Sequence, residues 1–108
     1  MKLRSKFRGS LLGTGVGDAL GRAYEGRGSS SPDKIRNSVT SKEILKYTDD
    51  TQQMISLAEA LIEEEAFSGE SFANRLVENY DPSRGYGPGS SKVIRSIEAG
   101  EHWKEPAK

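Results

Sequence analysis

The sequence predicts an all-α protein, and three observations lead there. Apolar residues recur at helical spacing in the first 23 positions and again from Thr51 to Phe67. The segments between them carry helix stop and start signals such as Ser68-Gly69, Asp81-Pro82 and Gly100. No stretch alternates apolar and polar residues over strand length.

The first helix is predicted over 6–23, where Phe7, Leu11, Leu12, Val16, Ala19, Leu20 and Ala23 follow the helical period. Gly9, Gly13, Gly17 and Gly21 fall every four residues in the same segment, with Gly15 in addition. Each glycine costs a helix about 1 kcal/mol relative to alanine. The segment therefore needs compensation from packing, and close approach of another helix along the glycine row is the plain expectation. Arg8, Asp18 and Arg22 argue against the membrane setting in which such spacing is common.

Residues 26–32 read as a loop, and 32–46, where the pattern is weak, as a short helix and a docked segment built on Ile35, Val39, Ile44 and Leu45. The helix from Thr51 to Phe67 should place Met54, Leu57, Ala58, Leu61 and Ile62 on one face, with Glu63, Glu64 and Glu65 in solvent. A further helix is predicted from a Ser71 cap, turning Phe72, Leu76, Val77 and Tyr80 inward and ending at Asp81-Pro82. The last spans 92–99 behind the glycine-rich loop 85–91, with Gly100 as its C-terminal cap. Trp103 sits in a polar tail, and the lone His102 has no companion for a zinc site.

Composition bounds the function. At 108 residues the chain is at most one domain, and only 21 residues are Leu, Ile, Val or Phe, so its own core is thin. Sixteen basic and sixteen acidic residues cancel, which speaks against an obligatory nucleic-acid partner. No apolar run is long enough to span a bilayer, and the N-terminus lacks the apolar region of a signal peptide. The absence of cysteine excludes disulfides and thiolate chemistry and fits a cytoplasmic setting.

The densest chemistry lies in Tyr47-Thr48-Asp49-Asp50-Thr51. Adjacent carboxylates with a hydroxyl offer the hard oxygen donors that magnesium prefers, at a helix start whose dipole favours negative charge. Plain N-capping is the alternative reading of the same residues. The loop Gly85-Tyr86-Gly87-Pro88-Gly89-Ser90-Ser91 presents backbone N–H groups at a helix start, suited to phosphate, although a tight turn is the simpler reading. Glu25 follows the glycine-rich helix and is either an acid/base group or a surface carboxylate. Asp18, among small or apolar residues, is expected to face the interior and bond a backbone or hydroxyl group there in a structural role, with support of the site from behind as the alternative.

Taken in order, Phe7-Arg8-Gly9-Ser10-Leu11-Leu12-Gly13, Gly17-Asp18-Ala19-Leu20-Gly21 with Glu25, Tyr47-Thr48-Asp49-Asp50-Thr51-Gln52 and Gly85-Tyr86-Gly87-Pro88-Gly89 resemble the N-terminal part of the ADP-ribosylglycohydrolases. The resemblance implies an all-α fold and two magnesium ions, or manganese in some members. It implies Thr48, Asp49 and Asp50 as metal ligands and Glu25 as the catalytic glutamate. Gly85, Tyr86, Gly87, Gly89 and Ser90 would lie against ADP-ribose, and the substrate would be an ADP-ribosylated protein or another ADP-ribose adduct. Family members are longer and carry a second acidic motif, Asp-x-Asp-Thr, near the C-terminus; none follows Ser91 here. The expectation is that residues 1–108 form the N-terminal part of one domain, completed by a missing C-terminal half or a partner chain. Weak metal binding, little hydrolysis and uncovered apolar faces should result. A non-catalytic helical interaction module derived from such a hydrolase is the alternative.

Overall fold

The computed structural model describes residues 2–26, 28–40 and 44–106. These form five α-helices: α1 (Leu3–Gly21), α2 (Pro32–Thr40), α3 (Asp49–Glu64), α4 (Gly69–Asn79) and α5 (Pro88–Glu98). Short 3₁₀ turns lie at Arg22–Tyr24 and Pro82–Arg84, and no strand occurs among the described residues. Among the described residues, no helix is long and apolar enough to cross a membrane. The chain divides into two units, Met1–Thr48 and Asp49–Lys108.

In the first unit, α1 begins at Leu3, three residues before the predicted start. The chain then tightens into the 3₁₀ turn and reaches Gly26, whose φ of 70° is the left-handed conformation that glycine takes without penalty. No residue of α1 is buried: Leu3, Phe7, Leu12 and Val16 are all more than half exposed. Full burial of such a side chain is worth about 1.5–3 kcal/mol, so this helix forgoes most of its available apolar stabilisation. Among the described residues, the close packing expected along the glycine row is not found. A side-chain carbon built at Gly9, Gly13, Gly17 or Gly21 meets nothing within 4 Å. The helix has the composition of a buried element and the exposure of a surface one.

Helix α2 starts at Pro32, within the segment read as a short helix. Ser31 Oγ accepts the Lys34 N–H at 3.3 Å, and Pro32 occupies the first turn, where a missing N–H costs nothing. It ends by Thr40; residues 41–43 lie outside the described part, and the predicted docked segment at 44–45 leaves Ile44 87% exposed.

In the second unit, α3 and α4 form an antiparallel pair joined by residues 65–68. Helix α3 stops at Glu64, short of the predicted Phe67, because Glu65 adopts a φ of 56°. Ser68, rather than Ser71, caps α4: its hydroxyl accepts the Ser71 N–H at 3.2 Å. The face of α3 turned inward also differs from the predicted one. Gln52, Ser56 and Ala60 are buried at i, i+4, i+8, whereas Leu61 and Ile62 are exposed. The reason lies in α4, which brings polar groups to this seam. Asn79 donates to Ser56 Oγ at 3.0 Å and to Glu59 at 2.8 Å, and Ser56 donates to the Gln52 carbonyl at 3.0 Å. Arg75 bonds Glu63 at 2.8 Å and approaches Glu59 and Glu78, so Glu63 is not merely a solvated charge. The bond to Glu63 holds the Arg75 guanidinium above its ordinary pKa. Small and hydrogen-bonding side chains thus allow a close helix pair that a Leu-rich face would keep apart.

Helix α5 packs on α4, and Ile94 of α5 and Ala73 of α4 are both buried. It ends as predicted. Gly100, at φ 101°, donates to the Ile97 carbonyl and Glu101 to the Ser96 carbonyl, satisfying the last turn. Trp103 does not trail in solvent: its ring lies against Gly69, so closely that a side-chain carbon there would collide with it.

Candidate functional site

Within the first unit, helical geometry places Asp18 in the last full turn of α1, and the 3₁₀ turn delivers Glu25 just beyond it. Glu25 is exposed, with extended backbone, and one of its carboxylate oxygens lies within 4.8 Å of one from Asp18. Two carboxylates at that distance repel each other unless a proton or cation intervenes.

Asp18 is engaged on its other side. Its Oδ1 accepts the Thr48 hydroxyl at 2.6 Å, and its Oδ2 accepts the Thr48 N–H at 2.7 Å. Both lengths fall in the range of bonds to a carboxylate acceptor. The interior bond expected of Asp18 is therefore present, and its partner is a residue of the Thr-Asp-Asp block. Thr48 is buried, at 5% exposure.

In the second unit, Asp49 and Asp50 are the first two residues of α3, two positions before the predicted helix start. They lie inside the first turn rather than ahead of it, where the unpaired N–H groups and the helix dipole favour negative charge. Asp49 is half-buried and Asp50 exposed, and neither carboxylate makes an ion pair among the described residues. This is chemically a hard-oxygen set without an internal counter-ion. It fits a divalent cation of the magnesium type.

The glycine-rich segment is shorter as a loop than the sequence predicts. Gly85 takes a φ of 84°, Gly87 is the N-cap of α5, and Pro88 begins the helix. The helix thus starts four residues ahead of the predicted Lys92, and Gly89 and Ser90 belong to its first turn. No side chain caps that turn. Of its first residues only Gly89 and Ser90 bring N–H donors, since Pro88 has none.

Tyr86 is pinned. Its hydroxyl donates to Gln52 Oε1 at 2.7 Å, and the same oxygen accepts the Asp81 N–H at 3.3 Å. The Tyr80 ring meets Tyr86 edge-on at 4.7 Å, while the Tyr80 hydroxyl donates to Ser91 Oγ at 3.1 Å. Gln52 thereby joins the loop to the helix that opens with Asp49 and Asp50. Sequence reasoning does not single it out as a functional support, although its i, i+4 relation to Ser56 is the available signal. Beside Tyr86 lies a shallow hollow of about 560 Å³, bordered by Pro88, Ser91, Lys92 and Arg95. Asp81 holds the turn that leads into the loop. Its carboxylate accepts the Ser83 hydroxyl at 2.7 Å and the Ser83 N–H at 3.0 Å, and these bonds keep its pKa below the ordinary carboxylate range. His102 is exposed and its Nδ1 accepts the Lys104 N–H, a local turn contact.

Comparison with known proteins points to one family. The sequence model of the ADP-ribosylglycohydrolase family matches residues 1–108. The chain is 36% identical over 107 residues to the ADP-ribosylhydrolase ARH3 of Xenopus tropicalis, an alignment covering 91% of this chain and 31% of that protein. It is 36% identical over 113 residues to an uncharacterized protein of Archaeoglobus fulgidus, covering 94% and 36%. Human ARH3 is 35% identical over 107 residues, covering 86% and 30%. The chain spans about a third of the length of the curated relatives it matches.

Proposed function

The chain belongs to the ADP-ribosylglycohydrolase family, and from that membership we propose that it forms the N-terminal part of a magnesium-dependent enzyme cleaving an ADP-ribosyl glycosidic bond. The observation that carries the reading is the pair Asp49 and Asp50 in the first turn of α3, directly after a Thr48 whose hydroxyl proton is committed to Asp18. Substrates would be ADP-ribosylated proteins or other ADP-ribose adducts, as the name of the ARH3 relatives suggests. The lack of cysteine supports a cytoplasmic setting.

In this reading Thr48, Asp49 and Asp50 hold magnesium or manganese, two ions in the completed site. Bound there, the metal supplies Lewis-acid polarisation and a water of lowered pKa. Glu25, exposed at the end of its 3₁₀ turn, would act as the acid/base group, taking a proton from an attacking water or giving one to the leaving group as the bond to the anomeric carbon breaks. The Gly89 and Ser90 N–H groups, at an uncapped positive helix end, bind diphosphate oxygens. Tyr86, with its hydroxyl held by Gln52, offers its ring as a fixed wall for the ADP-ribose. The remaining ligands would come from chain beyond these residues or from a partner chain. The 108-residue chain alone should then bind metal weakly and hydrolyse little.

Titration with magnesium and ADP-ribose by calorimetry tests the proposal, comparing the wild type with Asp49→Ala/Asp50→Ala. The wild type should bind in a metal-dependent way and the variant should not; equal binding by both removes the metal assignment. The exposed apolar side chains of α1 favour a second reading, a helical interaction module without catalysis. That reading requires association that rises with protein concentration and ignores magnesium and ADP-ribose. Sedimentation at two concentrations, with and without both ligands, separates the two.

A further inference from the structure

We propose that Asp18 is a positioning residue that aims the Thr48 hydroxyl oxygen at a divalent cation. The inference rests on the reading of Thr48 as a metal ligand. A threonine hydroxyl has one proton and two lone pairs, and an ionised carboxylate can only accept. At 2.6 Å from Asp18 Oδ1, the hydroxyl proton must point at Asp18, which leaves the oxygen's lone pairs directed elsewhere. The second bond, from the Thr48 N–H to Oδ2 at 2.7 Å, uses the other oxygen of the same carboxylate and fixes backbone and side chain together. Free of this clamp, the hydroxyl could turn its proton outward, toward a cation, or spend it on a nearby carbonyl. Each alternative orientation lost improves the oxygen as a ligand, and the negative charge behind it makes it a stronger donor.

Asp18 has a rival role that the geometry also permits. Its carboxylate lies within 4.8 Å of that of Glu25, so it could attract a cation directly instead of acting through Thr48. A double-mutant cycle distinguishes the two. In Asp18→Asn an amide N–H₂ replaces one acceptor, so the hydroxyl must accept there and turn its proton outward. Thr48→Val keeps the shape and removes the oxygen. Thr48→Ser keeps the oxygen and its proton.

The measurement is Mn²⁺ binding by electron paramagnetic resonance on the full 108-residue chain up to millimolar metal, with circular dichroism of each variant. Asp18→Asn and Thr48→Val should each weaken Mn²⁺ about tenfold or more, the usual range for a group supporting a metal ligand. The double variant should be no weaker than Thr48→Val, and Thr48→Ser should bind like the wild type. Unchanged affinity in Thr48→Val, or no Mn²⁺ binding by the wild type, overturns the ligand reading and this inference with it. A loss in Thr48→Val without one in Asp18→Asn overturns the inference alone. So does an Asp18→Asn loss that adds in full on the Thr48→Val background, or one accompanied by reduced helicity.

Discussion

Tyr86 donates its hydroxyl to the side-chain carbonyl of Gln52 at 2.7 Å across 34 residues of sequence. Gln52 is 8% exposed, so the bond lies where water competes poorly. Tyr86→Phe leaves Gln52 Oε1 with the Asp81 N–H and should cost about 1 kcal/mol. Gln52→Leu strips both donors of their acceptor and should cost about 2 kcal/mol or more, in the range for unsatisfied buried groups. Urea denaturation followed by circular dichroism checks the order: Gln52→Leu and Tyr86→Phe variants both as stable as the wild type would show that the loop does not depend on this bond.

Gly69 opens α4 with the Trp103 ring against it. Alanine in a helix is ordinarily better than glycine by about 1 kcal/mol. Here the added carbon must displace an aromatic ring, and overpacking typically costs 1–3 kcal/mol. Gly69→Ala should therefore lower the melting temperature and shift Trp103 emission to the red. In a Trp103→Ala background the same change should be stabilising. A stabilising Gly69→Ala in the wild type would mean that Trp103 does not dock there.

Glu65 ends α3 in the left-handed region at φ 56°, a conformation that costs a non-glycine residue about 1–2 kcal/mol. Glu65→Gly relieves that strain but gives up some unfolded-state restriction, for a net gain of roughly 0.5–1 kcal/mol. Thermal unfolding monitored by circular dichroism would show a higher midpoint. Unchanged or reduced stability would indicate that α3 continues through residue 65 in solution.

The Asp81 carboxylate has a depressed pKa, first because of the Ser83 hydroxyl, then the Ser83 N–H, with the Arg84 charge adding to both. A carboxylate whose pKa is lower when folded contributes stability that is complete above its unfolded value, about pH 4. That contribution is lost as pH falls through the lower, folded value. Acidification from pH 5 to 2 should thus loosen the Pro82–Arg84 turn and change the Tyr86 ring resonances in NMR spectra. Asp81→Asn should remove this part of the acid response. An identical acid profile in both proteins would rule out Asp81 as the responsive group.

The acid pair was legible because its location depends only on local rules: Thr-Asp-Asp ahead of an amphipathic run marks a helix start whatever packs around it. Gly100 was legible for the same reason, since a left-handed residue ending a helix is a property of five or six consecutive residues. The shorter glycine loop was not, because Pro88 suits the first turn of a helix as well as a loop, and only the formed turn shows which.

The sequence by itself determined that the chain is helical, roughly where the helices run, and that consecutive carboxylates open one of them, since periodicity and capping act within a few residues. Tertiary structure alone decided that α3 buries Gln52, Ser56 and Ala60, that Thr48 gives both of its protons to Asp18, and that Trp103 covers Gly69. Those outcomes depend on partners about 20 to 34 residues away, and helical periodicity ranks faces by hydrophobicity without knowing which neighbour brings hydrogen bonds. A helix face chosen by polar partners is invisible to a pattern that counts apolar ones.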